Sequence, residues 1–130
     1  MILVDTSALV DSLTGARRSA PLLRRLIEDG ERLLLPSLVL YEWLRGPRHP
    51  AELRAQEELF PRNSAVPFGP AEAALAADLS GQVPRPRGRE VDLTIAACAL
   101  VRDASLWTLN TGDFRDVPGL KLAAPKDLSP

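Results

Sequence analysis

Residues 2–7 read Ile2-Leu3-Val4-Asp5-Thr6-Ser7, three apolar residues running straight into a carboxylate and two hydroxyls. A short unbroken apolar run is the pattern of a strand buried on both faces, as in a parallel sheet. Asp is depleted in strands, so Asp5 at the end of this one has two readings, a helix N-cap or a ligand. Asp-Thr-Ser can cap a helix start, and residues 8–13 can form that helix. Taken alone, Asp5 does not decide between the two.

Outward from this stretch, apolar runs alternate with helical spacing. Residues 20–29 place Leu22, Leu23, Leu26 and Ile27 on one helical face, and Gly30 stops them. Leu33-Leu34-Leu35 is a second strand ended by Pro36. Ser37 is a good N-cap for a helix over residues 38–45, which Gly46-Pro47 terminates. Residues 51–60 read as a helix closed by Pro61. Ala65-Val66-Pro67-Phe68 reads as a third strand whose proline suggests an end or an edge. Residues 70–79 are helical with Pro70 in the first turn and Gly81 beyond. Residues 83–88 form a Pro/Arg loop, and residues 91–103 carry the strongest helical signal. Leu106-Trp107 starts a fourth strand and Leu120-Lys121-Leu122 is a fifth. This alternation predicts an α/β fold with a parallel sheet covered on both faces. In such folds the site lies at the carboxyl ends of strands, which directs attention to Asp5 and to residues 108–113.

Composition bounds the function. The chain has 130 residues, 45% apolar and 25% charged, which suits one domain over residues 1–130. The single cysteine, Cys98, allows no internal disulfide and no Cys-based metal site, and a reducing, cytoplasmic compartment fits. The N-terminus has no basic region or cleavage site of a signal peptide, and no apolar run approaches a membrane span. Net charge is −1, so any nucleic-acid site must be local rather than a general basic surface.

Three further segments carry acids. Glu42 lies among Leu38, Val39, Leu40, Tyr41, Trp43 and Leu44, a helix expected to be buried on most sides. A buried Glu needs a partner, although a solvent-facing position is the simpler reading of Glu42 alone. Asp92 opens a long helix, where a negative charge is favoured without any chemistry. Asn110 and Asp113 alone read as turn and cap residues. Together the four segments put an acid or amide at a strand end or a helix start. Three or four oxygen ligands without His or Cys suit a hard cation, Mg²⁺ or Mn²⁺. Without one the acids would repel each other.

In this order and spacing, the motifs resemble the PIN-domain family, and within it the VapC-type toxins of toxin–antitoxin modules. Asp5-Thr6-Ser7 after the first strand resembles the first motif. Glu42-Trp43-Leu44-Arg45-Gly46 looks like the E-x-x-R-G helix end. Asp92 with Ile95-Ala96-Ala97 resembles the third motif, and Thr108-Leu109-Asn110 with Asp113-Phe114 the last. The resemblance implies a single PIN-like domain with a five-stranded parallel sheet. It also implies Mg²⁺- or Mn²⁺-dependent hydrolysis of RNA phosphodiester bonds, a homodimer, and neutralisation by a cognate antitoxin. Carried over residue by residue, Asp5, Glu42 and Asp92 are the catalytic acids. The fourth position, often Asp, is Asn110 here, a departure that Asp113 can compensate directly or through water. Thr6, Ser7 and Thr108 are candidates to orient the ligands by hydrogen bonds.

RNA needs cations near these acids. Arg45 and Arg48, with His49, follow Glu42, and Arg85, Arg87 and Arg89 precede Asp92. Each is a candidate phosphate contact, with a solvated loop charge as the other reading. Cys98 and Trp107 read as core; Trp43 reads as core or partner-facing. Leu9, Leu13, Leu40 and Leu44 can line an antitoxin groove, core burial being the default for each. A haloacid-dehalogenase-type phosphatase would need a second Asp where Ser7 stands. A receiver domain would need an acidic pair after the first strand. A PIN-like module that only binds RNA or protein remains the alternative, because of Asn110.

Overall fold

Four short parallel strands form the spine of the molecule, and their order decides where a site can lie. The computed structural model describes residues 1–123. The strands are β1 (Ile2–Val4), β2 (Leu33–Leu34), β3 (Ser105–Trp107) and β4 (Lys121–Leu122). The helices are α1 (Thr6–Leu13), α2 (Ala20–Glu28), α3 (Ser37–Arg45), α4 (Pro50–Leu59), α5 (Pro70–Gln82) and α6 (Glu90–Val101). Sheet order is β2-β1-β3-β4, with every pair parallel. Ile2 lies opposite both Leu33 and Ser105, and Val4 opposite Trp107. All three residues of β1 are buried. Successive side chains of a strand point to opposite faces, so both faces of the sheet are covered, as the unbroken apolar run predicts.

The sheet has four strands among the described residues, not the five expected. The segment Ala65-Val66-Pro67-Phe68 makes one isolated parallel bridge, Val66 with Pro36. Two hydrogen bonds hold it: Val66 N–H donates to the Leu35 carbonyl at 2.9 Å and Ser37 N–H to the Val66 carbonyl at 2.8 Å. The ladder goes no further because the next donor, the Ser64 N–H, turns to the Pro61 carbonyl at 3.0 Å, and α3 begins at Ser37.

Helix ends follow local chemistry. Gly30, at φ 77°, closes α2: its N–H donates to the Ile27 carbonyl and the Glu31 N–H to the Leu26 carbonyl, both at 3.0 Å. The end of α6 uses the same pair of bonds without glycine. Asp103 takes φ 51°, with Asp103 N–H on Leu100 and Ala104 N–H on Ala99. Two expected boundaries move. Ser37 is the first residue of α3 rather than its N-cap, which is Pro36; the Ser37 N–H is already satisfied by Val66. Gly81 lies inside α5 rather than beyond it.

The core runs from β1 and β3 (Leu3, Val4, Leu106) outward to Leu9, Val39, Trp43, Ile95 and Phe114, all buried. Helices α5 and α6 pack together, and Arg102 joins them by donating to Glu72 at 2.9 Å and to the Cys98 carbonyl at 3.1 Å. Among the described residues no helix is long and apolar enough to cross a membrane.

Candidate active site

From β1 the chain crosses to β2 on one side, while β3 pairs with β1 on the other. The sheet order therefore reverses at β1, and a crevice opens at the carboxyl ends of β1 and β3. Asp5 and Thr108 are the first residues beyond those two strands.

Asp5 N–H donates to the Trp107 carbonyl at 2.9 Å, so strand pairing reaches the residue itself. Asp5 occupies the N-cap position of α1, but its side chain makes no capping hydrogen bond. The carboxylate is held elsewhere: Oδ2 accepts from Thr108 Oγ1 at 2.7 Å and from Ser7 Oγ at 3.1 Å. Each hydroxyl in turn accepts from the loop beyond β3, Thr108 Oγ1 from the Asn110 N–H at 3.0 Å and Ser7 Oγ from the Leu109 N–H at 2.9 Å. Asp5 is 4% exposed and has no cationic partner among the described residues. Its Oδ1 accepts no hydrogen bond there either. A carboxylate so buried calls for a positive partner.

Glu42 is half-buried on α3, whose Val39 and Trp43 face inward while Tyr41 and Arg45 are exposed. The helix is thus less enclosed than its apolar composition suggests. Thr6 Oγ1 donates to Glu42 Oε1 at 2.6 Å and fixes the carboxylate from the start of α1. Asp92 is the third residue of α6 and half-buried. Burial first, then the charges of Asp5, Asp113 and Glu42, push its carboxyl up to about 6, against the pull of Arg89. Three carboxylates from other parts of the chain are therefore felt together at Asp92. Asp113 lies exposed on the 3-10 turn Thr111–Asp113 after β3, and its N–H donates to the Asn110 carbonyl at 2.9 Å. The Asn110 side chain is exposed and makes no hydrogen bond among the described residues.

This donor set has the chemistry of a hard-cation site: oxygen only, excess negative charge, and one carboxyl driven toward its neutral form by burial and then by the others. Among the described residues no three acidic, His or Cys side chains already close to ligand spacing. The acids share a region but do not form a finished cage.

The arginines divide. Arg48 lies 4.2 Å over the Trp43 ring and donates to the Trp43 and Pro47 carbonyls. Arg45 lies 5.5 Å over the exposed Tyr41 ring. Arg89 grips Asp116 through two hydrogen bonds, at 2.9 and 2.6 Å, and the Asp113 carbonyl at 2.9 Å. Arg85 and Arg87 are exposed and make no hydrogen bond or ion pair among the described residues. Trp43 is fully buried, hence core. Leu9 and Leu13 are buried, and Leu40 and Leu44 pack half-buried against the core. Asp116 escapes sequence reading; its only signal is its place between Phe114 and Val117, two buried anchors three residues apart.

The model of the PIN domain matches residues 2–120. Ribonuclease VapC19 of Mycobacterium tuberculosis is 39% identical over 127 residues, covering 93% of this chain and 98% of that protein. The fold is shared with chains of solved complexes. A DNA-bound VapBC from Salmonella typhimurium gives a TM-score of 0.77 at 19% identity, covering 94% of this chain and 96% of the other. A toxin–antitoxin complex from Klebsiella pneumoniae gives 0.71 at 22% identity, covering 92% and 95%. By the match to the family model and by its likeness to VapC19, the chain belongs to the PIN-domain family.

Proposed function

We propose that this chain is a metal-dependent endoribonuclease, one domain over residues 1–130, acting as the toxin of a toxin–antitoxin module. The observation that carries the reading is Asp5, buried at the carboxyl end of β1, held by Thr108 and Ser7 and without a cationic partner among the described residues. Likeness to a ribonuclease over nearly the whole chain supports it. Asp5 and Asp92 would hold Mg²⁺ or Mn²⁺. Glu42 would ligate it or orient the attacking water, and Asp113 with Asn110 would complete the oxygen set. When bound, such an ion supplies Lewis acidity to the scissile phosphate and lowers the pKa of an attacking water.

The chain's own residues do the rest. Ser7 and Thr108 hold Asp5 Oδ2, so that Oδ1 would be the oxygen available to a cation. Thr6 holds Glu42 Oε1 and leaves its second oxygen for ion or water. Arg85 and Arg87, unpaired among the described residues at the loop before α6, are the arginines best placed to meet RNA phosphates. The partner is a cognate antitoxin, as in the solved relatives whose complexes share the fold. An apolar groove of about 450 Å³ between α1, α2 and α4, lined by Leu13, Leu23, Ile27, Ala55 and Leu59, offers a seat for an apolar segment. A homodimer working in the cytoplasm fits the same reading.

A binding module without catalysis is the second reading, favoured by Asn110 in place of an acid. Cleavage of total RNA by the purified chain with Mg²⁺, Mn²⁺ or EDTA, beside Asp5→Asn, decides between them. Discrete metal-dependent products that vanish in Asp5→Asn are expected. Cleavage retained by folded Asp5→Asn would overturn the site. Metal binding without cleavage of any RNA would favour the binding module.

A further inference from the structure

Arg89 occupies the N-cap position of α6, immediately before the turn that carries Asp92. Its Nη1 and Nη2 donate to the two carboxylate oxygens of Asp116, at 2.9 and 2.6 Å, and Nη2 also donates to the Asp113 carbonyl at 2.9 Å. One planar guanidinium thus grips two points of the segment after β3, a geometry that lysine cannot copy. Phe114 and Val117 of the same segment are buried and anchor it to the core. The Arg89 side chain is 19% exposed, and the fork is already turned toward protein acceptors. Two acidic elements that must share a cation repel one another before it arrives; this fork supplies the attraction that keeps them together.

We propose that Arg89 is a positioning residue whose fork onto Asp116 and the Asp113 carbonyl holds the turn bearing Asp113 against the helix start bearing Asp92, and that it is not a phosphate contact for RNA. The proposal rests on the metal-dependent nuclease reading. It separates Arg89 from Arg85 and Arg87, which lie in the same loop and make no such contacts.

Asp116→Asn, Arg89→Lys and Arg89→Ala test it in the full chain, with Mn²⁺ binding to RNA-free protein read by electron paramagnetic resonance. Asp116→Asn leaves every proposed ligand and the arginine charge in place, and circular dichroism checks its fold. All three variants should bind Mn²⁺ about tenfold or more weakly and lose kcat, with KM and the salt dependence of RNA affinity within about twofold of wild type. Lysine should fail to rescue, because charge without the fork does not position. Wild-type Mn²⁺ affinity in Asp116→Asn and Arg89→Lys would overturn the positioning role. Lost RNA affinity and a flatter salt dependence in Arg89→Ala alone would reassign Arg89 to phosphate. A wild-type chain that neither binds Mn²⁺ nor cleaves RNA would remove the nuclease reading itself, and the proposal with it.

Discussion

Thr108 Oγ1 lies 2.7 Å from Asp5 Oδ2, a hydrogen bond that joins the ends of two neighbouring strands across 103 positions of the chain. The same hydroxyl accepts the Asn110 N–H at 3.0 Å. Thr108 therefore couples the orientation of the buried acid to the path of the loop that presents Asn110 and Asp113. A valine would fill the same space and break both bonds. The carboxylate would gain freedom, and the Asn110 N–H would lose its acceptor.

Thr108→Val should fold, at a cost of about 1–2 kcal/mol for the lost hydrogen bonds. Cleavage should fall roughly 10- to 100-fold, as when a metal ligand loses its supporting partner. Thr108→Ser should restore most of the rate because the hydroxyl returns. Urea melts and single-turnover cleavage measure the two effects separately. A valine variant with the wild-type rate would mean that Asp5 is positioned by backbone alone.

The raised Asp92 carboxyl makes metal-free stability depend on pH. Its value is about 6 in the folded chain against an ordinary 3.8. The folded state then binds more protons than the unfolded state between these values, and stability falls as pH rises through that window. At about 1.4 kcal/mol per unit the full shift would correspond to about 3 kcal/mol, but Asp92 is only half-buried and solvent screening cuts the loss to about 1–2 kcal/mol, complete near neutrality. In EDTA, wild type should be more stable near pH 4.5 than at pH 7 as far as Asp92 is concerned. Asp92→Asn should lack this component and be the more stable protein at pH 7. Mg²⁺ should stabilise wild type and leave the Asn variant nearly unchanged. Urea melts at the two pH values check each sign, and an Asp92→Asn protein less stable than wild type in EDTA at pH 7 would contradict the repulsion.

Much of this was legible because strands and caps are local. The run Ile2-Leu3-Val4 declares a strand covered on both faces, and Asp5 at its end is conspicuous because strands exclude Asp. Gly30 declares a helix end through its left-handed backbone, whereas Asp103 does the same work unannounced. The strand expected over residues 65–68 stopped at one bridge, because the Ser64 N–H turns to Pro61 and α3 begins at Ser37. Pairing at long range was the illegible part. Arg89 and Asp116 are 27 positions apart in two loops, and nothing in either loop distinguishes a gripping arginine from the solvated ones beside it. Thr6 with Glu42 is similar: hydroxyls beside a motif suggest support for its acids, but only the packing of α1 on α3 says which acid each one meets.

Thr6 and Glu42 should behave as one unit. Thr6 Oγ1 donates to Glu42 Oε1 at 2.6 Å, so Thr6→Val acts through the acid it orients. Glu42→Gln should lower the rate more than Thr6→Val, and the double variant should be no worse than Glu42→Gln alone. Residues in direct contact commonly show coupling of about 0.5–3 kcal/mol in such cycles. Single-turnover rates of the four proteins give the coupling, and additive losses would mean that Thr6 acts on something other than Glu42.

Arg85 and Arg87 carry the last prediction, because they are exposed and free of intramolecular partners among the described residues. Each phosphate neutralised on a single strand contributes about 0.7 to the slope of log affinity against log salt. Replacing both by alanine should reduce that slope by about 1.4 and weaken RNA binding in proportion, with Mn²⁺ affinity unchanged. Binding by a catalytically dead Asp5→Asn background, measured from low to moderate salt, gives the slope without cleavage. A change of about half that size would assign one arginine to the backbone. An unchanged slope would place the RNA path elsewhere and make Arg45, beside Glu42 on α3, the next arginine to replace.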